Sequence, residues 1–165
     1  MIFMGVEEKA GTDRYVLKMV VDSRKGVMAR IATLLARKGY NILSISVGRH
    51  IEEGEAIIVL AIQGTEAEIF QAKNMLGKLV NVISIESFHK SDVVERELCL
   101  LKIKSEGKKK AEELMKGLNA KILAEGKGSI VIEVVDYPNL VGEFTIKALA
   151  QLPIIEISRS GPNAI

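Results

Sequence analysis

The chain has no tryptophan, one cysteine, two histidines and three prolines among its 165 residues. Each scarcity excludes something. Cys99 has no second cysteine to pair with, so no internal disulfide can form. Its place in the apolar run Leu98-Cys99-Leu100-Leu101 marks it as a small core residue rather than a nucleophile. His50 and His89 lack H-x-x-x-H spacing and no C-x-x-C is possible, so no metal-site motif is present. No Ser/His/acid set and no Walker-type loop stands out, and no catalytic site of the chain's own is expected. Four Phe and three Tyr leave little for stacking single-stranded bases. With 23 basic against 21 acidic residues the net charge is +2, too small for a strong basic field. No 18-residue apolar run occurs, so no helix is expected to span a membrane. Met1 to Asp13 carries acidic residues and lacks the long apolar core of a signal peptide. These absences predict a cytoplasmic protein with neither a nucleic-acid nor a membrane partner.

What is present is aliphatic. The chain is 48% hydrophobic, enough for a folded core built from Val, Ile, Leu, Ala and Met. The length suits one ordinary domain or two small ones, and small ones lean on each other or on another chain. Lys108-Lys109-Lys110 is the one compact basic run. Acidic Glu112 and Glu113 follow it, so it reads as a solvated helix face.

The periodicity runs through one layout twice. Residues 15–21 alternate around Tyr15, Leu17, Met19 and Val21, as a strand does. Residues 26–38 have helical period, with Val27, Ile31, Leu34 and Leu35 on one face and Arg30 and Arg37 on the other. Gly39 is placed to end that helix. Residues 41–47 form a strand with Leu43, Ile45 and Val47 to one side and Ser44 and Ser46 to the other. Glu52-Glu53-Gly54 turns the chain into a second, wholly apolar strand over 56–62. Thr65 opens a helix with Glu68 three residues on, a capping box, and 80–88 closes the unit as a strand. A charged linker, His89 to Asp92, follows. Strands over 97–104, 120–124, 129–135 and 154–158 and helices over 108–118 and 139–150 repeat the plan. The expected fold class is α+β: two ferredoxin-like βαββαβ domains.

The richest segment runs from Val20-Val21 through the turn Asp22-Ser23-Arg24-Lys25 to Gly26-Val27-Met28-Ala29-Arg30. It continues after the helix as Lys38-Gly39-Tyr40-Asn41-Ile42. A helix N-terminus with free amides attracts a carboxylate, and an asparagine at a strand edge offers an amide to a small zwitterion. The spacing suggests that the two features lie side by side. Gly26 serves either a tight turn or the approach of a carboxylate to the amides of Val27 and Met28. Asn41 either completes the turn after Gly39 or contacts a ligand, and Ser23 is either a turn hydroxyl or a contact. Met28 and Ile42 face the core or line an aliphatic niche.

These motifs resemble the small regulatory subunits of acetolactate synthase, also called acetohydroxyacid synthase. The resemblance runs from about residue 14 to 161. It rests on Ser23 to Arg30 with Lys38-Gly39-Tyr40-Asn41-Ile42, on the junction Val94-Glu95-Arg96-Glu97-Leu98 leading to Leu101-Lys102-Ile103, and on the ending Ser158-Arg159-Ser160-Gly161. Ser23 stands where the family usually has Asn, and Lys25 where Pro or Ser is common. The resemblance implies an ACT domain over 13–89 that senses an amino acid and dimerises, and a C-terminal ferredoxin-like domain over 94–161. It implies an effector site of Ser23, Gly26, Val27, Met28, Asn41 and Ile42 for valine or another branched-chain amino acid, the matching Asn often contacting effector across the interface of two ACT domains. It implies a homodimer through ACT domains and a large catalytic subunit as partner. Thiamine diphosphate, Mg2+ and FAD would belong to that partner, with no cofactor in this chain. The alternative is an ACT regulator of a different enzyme or of transcription, and the chain offers no helix-turn-helix for the latter.

Overall fold

The computed structural model describes residues 12–165, so the amino-terminal stretch read for a leader lies, up to residue 11, outside the described residues. The chain divides into two compact units between Val93 and Val94. The first has β1 (Asp13–Asp22), α1 (Val27–Arg37), β2 (Asn41–Arg49), β3 (Glu55–Gly64), α2 (Glu66–Leu76) and β4 (Val82–His89). The second has β5 (Glu95–Lys104), α3 (Lys108–Met115), β6 (Ala120–Gly126), β7 (Ser129–Asp136), α4 (Pro138–Gln151) and β8 (Ile154–Ala164). The sheets run β2-β3-β1-β4 and β6-β7-β5-β8, antiparallel throughout. Both are the ferredoxin-like order that the doubled strand-helix pattern predicts.

In the first unit, Leu17, Met19 and Val21 of β1 and Ile58, Leu60 and Ile62 of β3 face Val27, Ile31 and Leu35 of α1 and Ile69, Ala72 and Leu76 of α2. Local chemistry fixes the helix ends. Gly39 sits at φ 75° after Lys38, with Gly39 N–H donating to Ala36 and Tyr40 N–H to Leu35, a Schellman closure. The capping box forms: Glu68 N–H donates to Thr65 Oγ1 at 3.3 Å and Thr65 N–H to Glu68 Oε2 at 2.7 Å. Tyr40 Oη donates to the Glu68 carbonyl, tying the start of β2 to α2.

Strand β2 is an edge, and it departs from strict alternation. Ile42 lies opposite Ile62 and Ser44 opposite Ala61, so Leu43 is the extra residue of a bulge. Beyond it Ile45 pairs with Leu60 and Val47 with Ile58 on the helix-covered face, but at the rim. Leu43, Ile45 and Val47 remain 42%, 36% and 51% exposed.

The linker is pinned to the start of β1. Nδ1 of His89 accepts from Ser91 N–H, so Nε2 carries the ring proton and donates to Asp13 at 2.8 Å. Lys90 Nζ lies 2.6 Å from the same carboxylate. Lys90 and then His89, with the Arg14 amide, hold the Asp13 carboxyl well below the usual carboxylate range. A depressed carboxylate stabilises the fold above its unfolded value, about 3.9, and loses that contribution only as pH falls toward the depressed one. Melting curves from pH 7 to 5 therefore reveal no loss from Asp13. Below about pH 4 the loss sets in, and Asp13→Asn flattens that acid limb.

In the second unit the core is Cys99, Leu101 and Ile103 of β5, Ile130, Ile132 and Val134 of β7, Ala111 of α3, and Val141, Phe144 and Ala148 of α4. Cys99 is buried, as its apolar run implies, and burial pushes its thiol up. The helix α3 ends at Met115, earlier than the periodicity suggests, because Gly117 turns the chain at φ 82°. Lys108 pairs with Glu125 and Lys110 with Glu113, so part of the basic run is neutralised locally. Strand β8 continues well past Ser158, with Ala164 opposite Glu95.

Candidate functional site

Three loops converge at one end of the first unit. The chain leaves β1 at Asp22 and enters α1 after Gly26, which adopts φ 86°. Asp22 N–H donates to the Asn81 carbonyl at 2.9 Å and Ser23 N–H to the Gly54 carbonyl at 2.8 Å. The turn is thus anchored on the α2–β4 loop and on the β2–β3 hairpin. Arg24 Nε lies 2.7 Å from Asp22 Oδ2, so the turn carboxylate has its own cation.

The N-terminus of α1 has no side-chain cap. Arg30 N–H donates to the Gly26 carbonyl at 3.1 Å, and Val27 N–H reaches the Arg24 carbonyl at 3.4 Å. The amides of Met28 and Ala29, in the first turn, have no i−4 acceptor. They carry the positive end of the helix dipole toward solvent. No side chain of α1 or its first turn is acidic, so nothing cancels that potential locally. Val27 is buried, while Met28 is half-buried against the core. Ser23 and Gly26 are exposed.

Asn41 does not lie beside this turn. It sits opposite Gln63, which pairs with Arg14, whereas Asp22 pairs with Glu55 at the other end of the sheet. Eight residues of β1 separate the two levels, about 27 Å of strand. The eleven residues of α1 between Gly26 and Lys38 span about 16 Å in the same direction. Within one chain, then, the structure groups Ser23, Gly26, Val27 and Met28 at one end and Asn41 and Ile42 at the other. The side-by-side placement expected from spacing is corrected: the helix that links the motifs also separates them. Asn41 is exposed, and Ile42 packs against the core.

Two motifs without a sequence-level role meet in the second unit. Glu97, 4% exposed, receives Arg159 Nε and Nη2, each at 2.8 Å. The carboxylate pushes the guanidinium above its ordinary value. Arg96 stacks 4.0 Å over the Tyr137 ring, and Ser160 Oγ accepts from Leu98 N–H at 3.1 Å. The junction and the ending therefore form one clasp across β5 and β8. The sequence did hold a signal: Glu95 and Glu97 share strand parity with Cys99, Leu101 and Ile103, and a carboxylate on a core face demands a cation.

Among the described residues no cluster of three or more His, Cys, Asp or Glu could hold a metal ion, and no helix is long and apolar enough to cross a membrane.

Comparison with known proteins matches both units. Residues 17–84 match the family described as an AHAS small subunit-like ACT domain, and residues 96–165 the family described as the small subunit of acetolactate synthase. The chain is 35% identical over 154 residues to acetolactate synthase small subunit 2, chloroplastic, of Arabidopsis thaliana, covering 92% of this chain and 32% of that protein. It thus spans about a third of the length of the plant relatives it matches. A protein of Archaeoglobus fulgidus named "Probable acetolactate synthase small subunit" is 30% identical, with 92% of this chain and 96% of the relative covered. The crystal structure of an acetolactate synthase small subunit from Thermotoga maritima superposes with a TM-score of 0.82 at 29% identity, covering 92% of this chain and 96% of that one.

Proposed function

Because the chain belongs to the acetolactate synthase small-subunit family, we propose that it is the regulatory partner of a catalytic large subunit, raising its turnover and relaying feedback from valine or another branched-chain amino acid. Thiamine diphosphate, Mg2+ and FAD would reside in that large subunit. One observation carries the sensing half of the reading. The turn and Asn41 lie at opposite ends of a sheet whose edge strand is β2, and an antiparallel two-fold exchanges those ends.

The exposed apolar residues of β2 are Leu43, Ile45 and Val47, so a register centred on Ile45 suits two copies. That register sets the partner's Asn41 opposite Arg49. Arg49 is level with Ala56, and Ala56 with Val21, one residue before the turn. It also sets Ser44 opposite the partner's Ser46. Ser44 Oγ is buried with no hydrogen-bond partner among the described residues, and a cross-strand serine would supply one.

The effector's carboxylate is received at the amides of Val27 and Met28, Val27 exchanging its long contact with Arg24 for the ligand. Its ammonium meets turn carbonyls and the side-chain oxygen of the partner's Asn41, and its aliphatic side chain enters a niche beside Met28 and the partner's Ile42. Asn41→Ala removes a polar partner from the bound ligand and weakens binding by about 1–3 kcal/mol, read by calorimetry. Ser23, shorter than the usual Asn, lowers the native affinity.

The functional test is acetolactate formation from pyruvate by the matching large subunit. Adding this chain should raise turnover and the two should co-elute, while the chain alone should form no acetolactate. Equal turnover with and without it, and no co-elution, overturns the reading.

A further inference from the structure

Asn81 is 8% exposed and lies in the α2–β4 loop, outside every motif singled out in the sequence. Its two oxygens grip both sides of the β1–α1 turn. The backbone carbonyl takes Asp22 N–H at 2.9 Å, where the chain enters the turn. The side-chain Oδ1 takes Arg30 Nη1 at 2.8 Å, on the helix that leaves it. Arg30 in turn donates its backbone N–H to the Gly26 carbonyl. The loop Asp22–Gly26 is therefore closed at both ends on one side chain and one carbonyl of Asn81. Arg30 and Leu79, two residues before Asn81, also line an open groove of about 330 Å³ on α1, with Ala29, Thr33, Leu34 and Arg37.

We propose that Arg30 and Asn81 are a positioning pair for effector binding. They do not touch the effector. They hold the first turn of α1 against Asp22 so that its free amides keep one aim before the ligand arrives. The deduction rests on the reading of this turn as the effector site. Its physical basis is preorganisation: a turn that must be ordered on binding subtracts that ordering from the affinity. Arg30 is on the surface, so removing its guanidinium leaves the core intact. What it leaves behind is the Asn81 oxygen without its charged donor.

The test is calorimetric titration of valine into the purified full chain, with melting temperature measured alongside. Arg30→Met strands the buried Asn81 oxygen and should lower the melting temperature by several degrees, yet at a temperature where the chain is still fully folded it should weaken binding about tenfold, the scale of one charge-assisted hydrogen bond. Asn81→Asp keeps an acceptor for Arg30 and the same backbone carbonyl, and should bind within about threefold of wild type. Arg30→Met binding valine as wild type does, while Gly26→Asp fails to bind, overturns the positioning role and leaves the site standing. Loss of binding in proportion to lost melting temperature, with Asn81→Asp equally impaired, overturns it too, since that is the behaviour of a merely structural pair. Gly26→Asp binding valine as tightly as wild type overturns the underlying site instead.

Discussion

Arg159→Met destabilises the second unit by about 2–4 kcal/mol, and far more than Glu97→Gln does. The asymmetry follows from burial. The Glu97 side chain is 4% exposed and that of Arg159 is 36% exposed. Removing the arginine strands a carboxylate that water does not reach. Removing the carboxylate frees a guanidinium that can turn outward and hydrate. The partial exposure of Arg159 also places the loss below that of a fully enclosed pair. Pairing Arg159→Met with Glu97→Gln removes both charges and should recover much of the loss, because no ion is then left desolvated. Urea denaturation of the four proteins of this cycle reads the prediction, and equal losses for the two single variants contradict it.

Gly26→Asp abolishes effector binding, by at least about 100-fold, and leaves the fold nearly unchanged. A Cβ at Gly26 would meet nothing within 4 Å, so space does not require glycine there. The conformation does, since φ 86° is left-handed. Aspartate tolerates that region better than most residues, at a cost of about 1 kcal/mol. Gly26 is also the N-cap of α1, and an aspartate at an N-cap accepts from the amides of the second and third helical residues, here Met28 and Ala29. The new carboxylate would occupy the Met28 amide that the effector needs and repel the effector's own carboxylate. Its capping offsets part of the backbone strain. Gly26→Ala adds strain without a cap and should weaken binding less. Calorimetry with valine beside thermal melts separates the two effects.

Much of the architecture is legible in the residue order. The alternation of Tyr15, Leu17, Met19 and Val21 and the helical spacing of Val27, Ile31 and Leu35 fix which faces are apolar, and the apolar run from Ala56 identifies the inner strand β3. What periodicity conceals is local. The bulge at Leu43 shifts strand parity by one, and nothing in Ile42-Leu43-Ser44 announces it. The end of β8 is hidden because Ser158 to Ile165 holds Gly161 and Pro162, which read as a tail, yet the backbone of Ile165 pairs with Val94. The Glu97–Arg159 clasp joins residues 62 apart, and only the core-face parity of Glu97 points to it. The turn that opens α1 is legible through Gly26. Its distance from Asn41 is not, because a motif read along the chain places neighbours in sequence together, and a helix between them carries the chain to the far end of the sheet.

That separation gives the most direct test of the account: a sensor site completed across a two-fold. Gly26→Asp and Asn41→Ala chains are each made alone and then co-expressed. Neither homodimer should bind valine well, since each carries the same lesion in both of its sites. A mixed dimer pairs the intact turn of one chain with the intact Asn41 of the other. Valine binding should therefore reappear in the co-expressed protein, at about a quarter of the wild-type number of sites when chains mix at random. Binding that stays at the homodimer level in isolated mixed dimers contradicts the account, because a site contained within one chain, or one that does not use Asn41, cannot be restored by mixing.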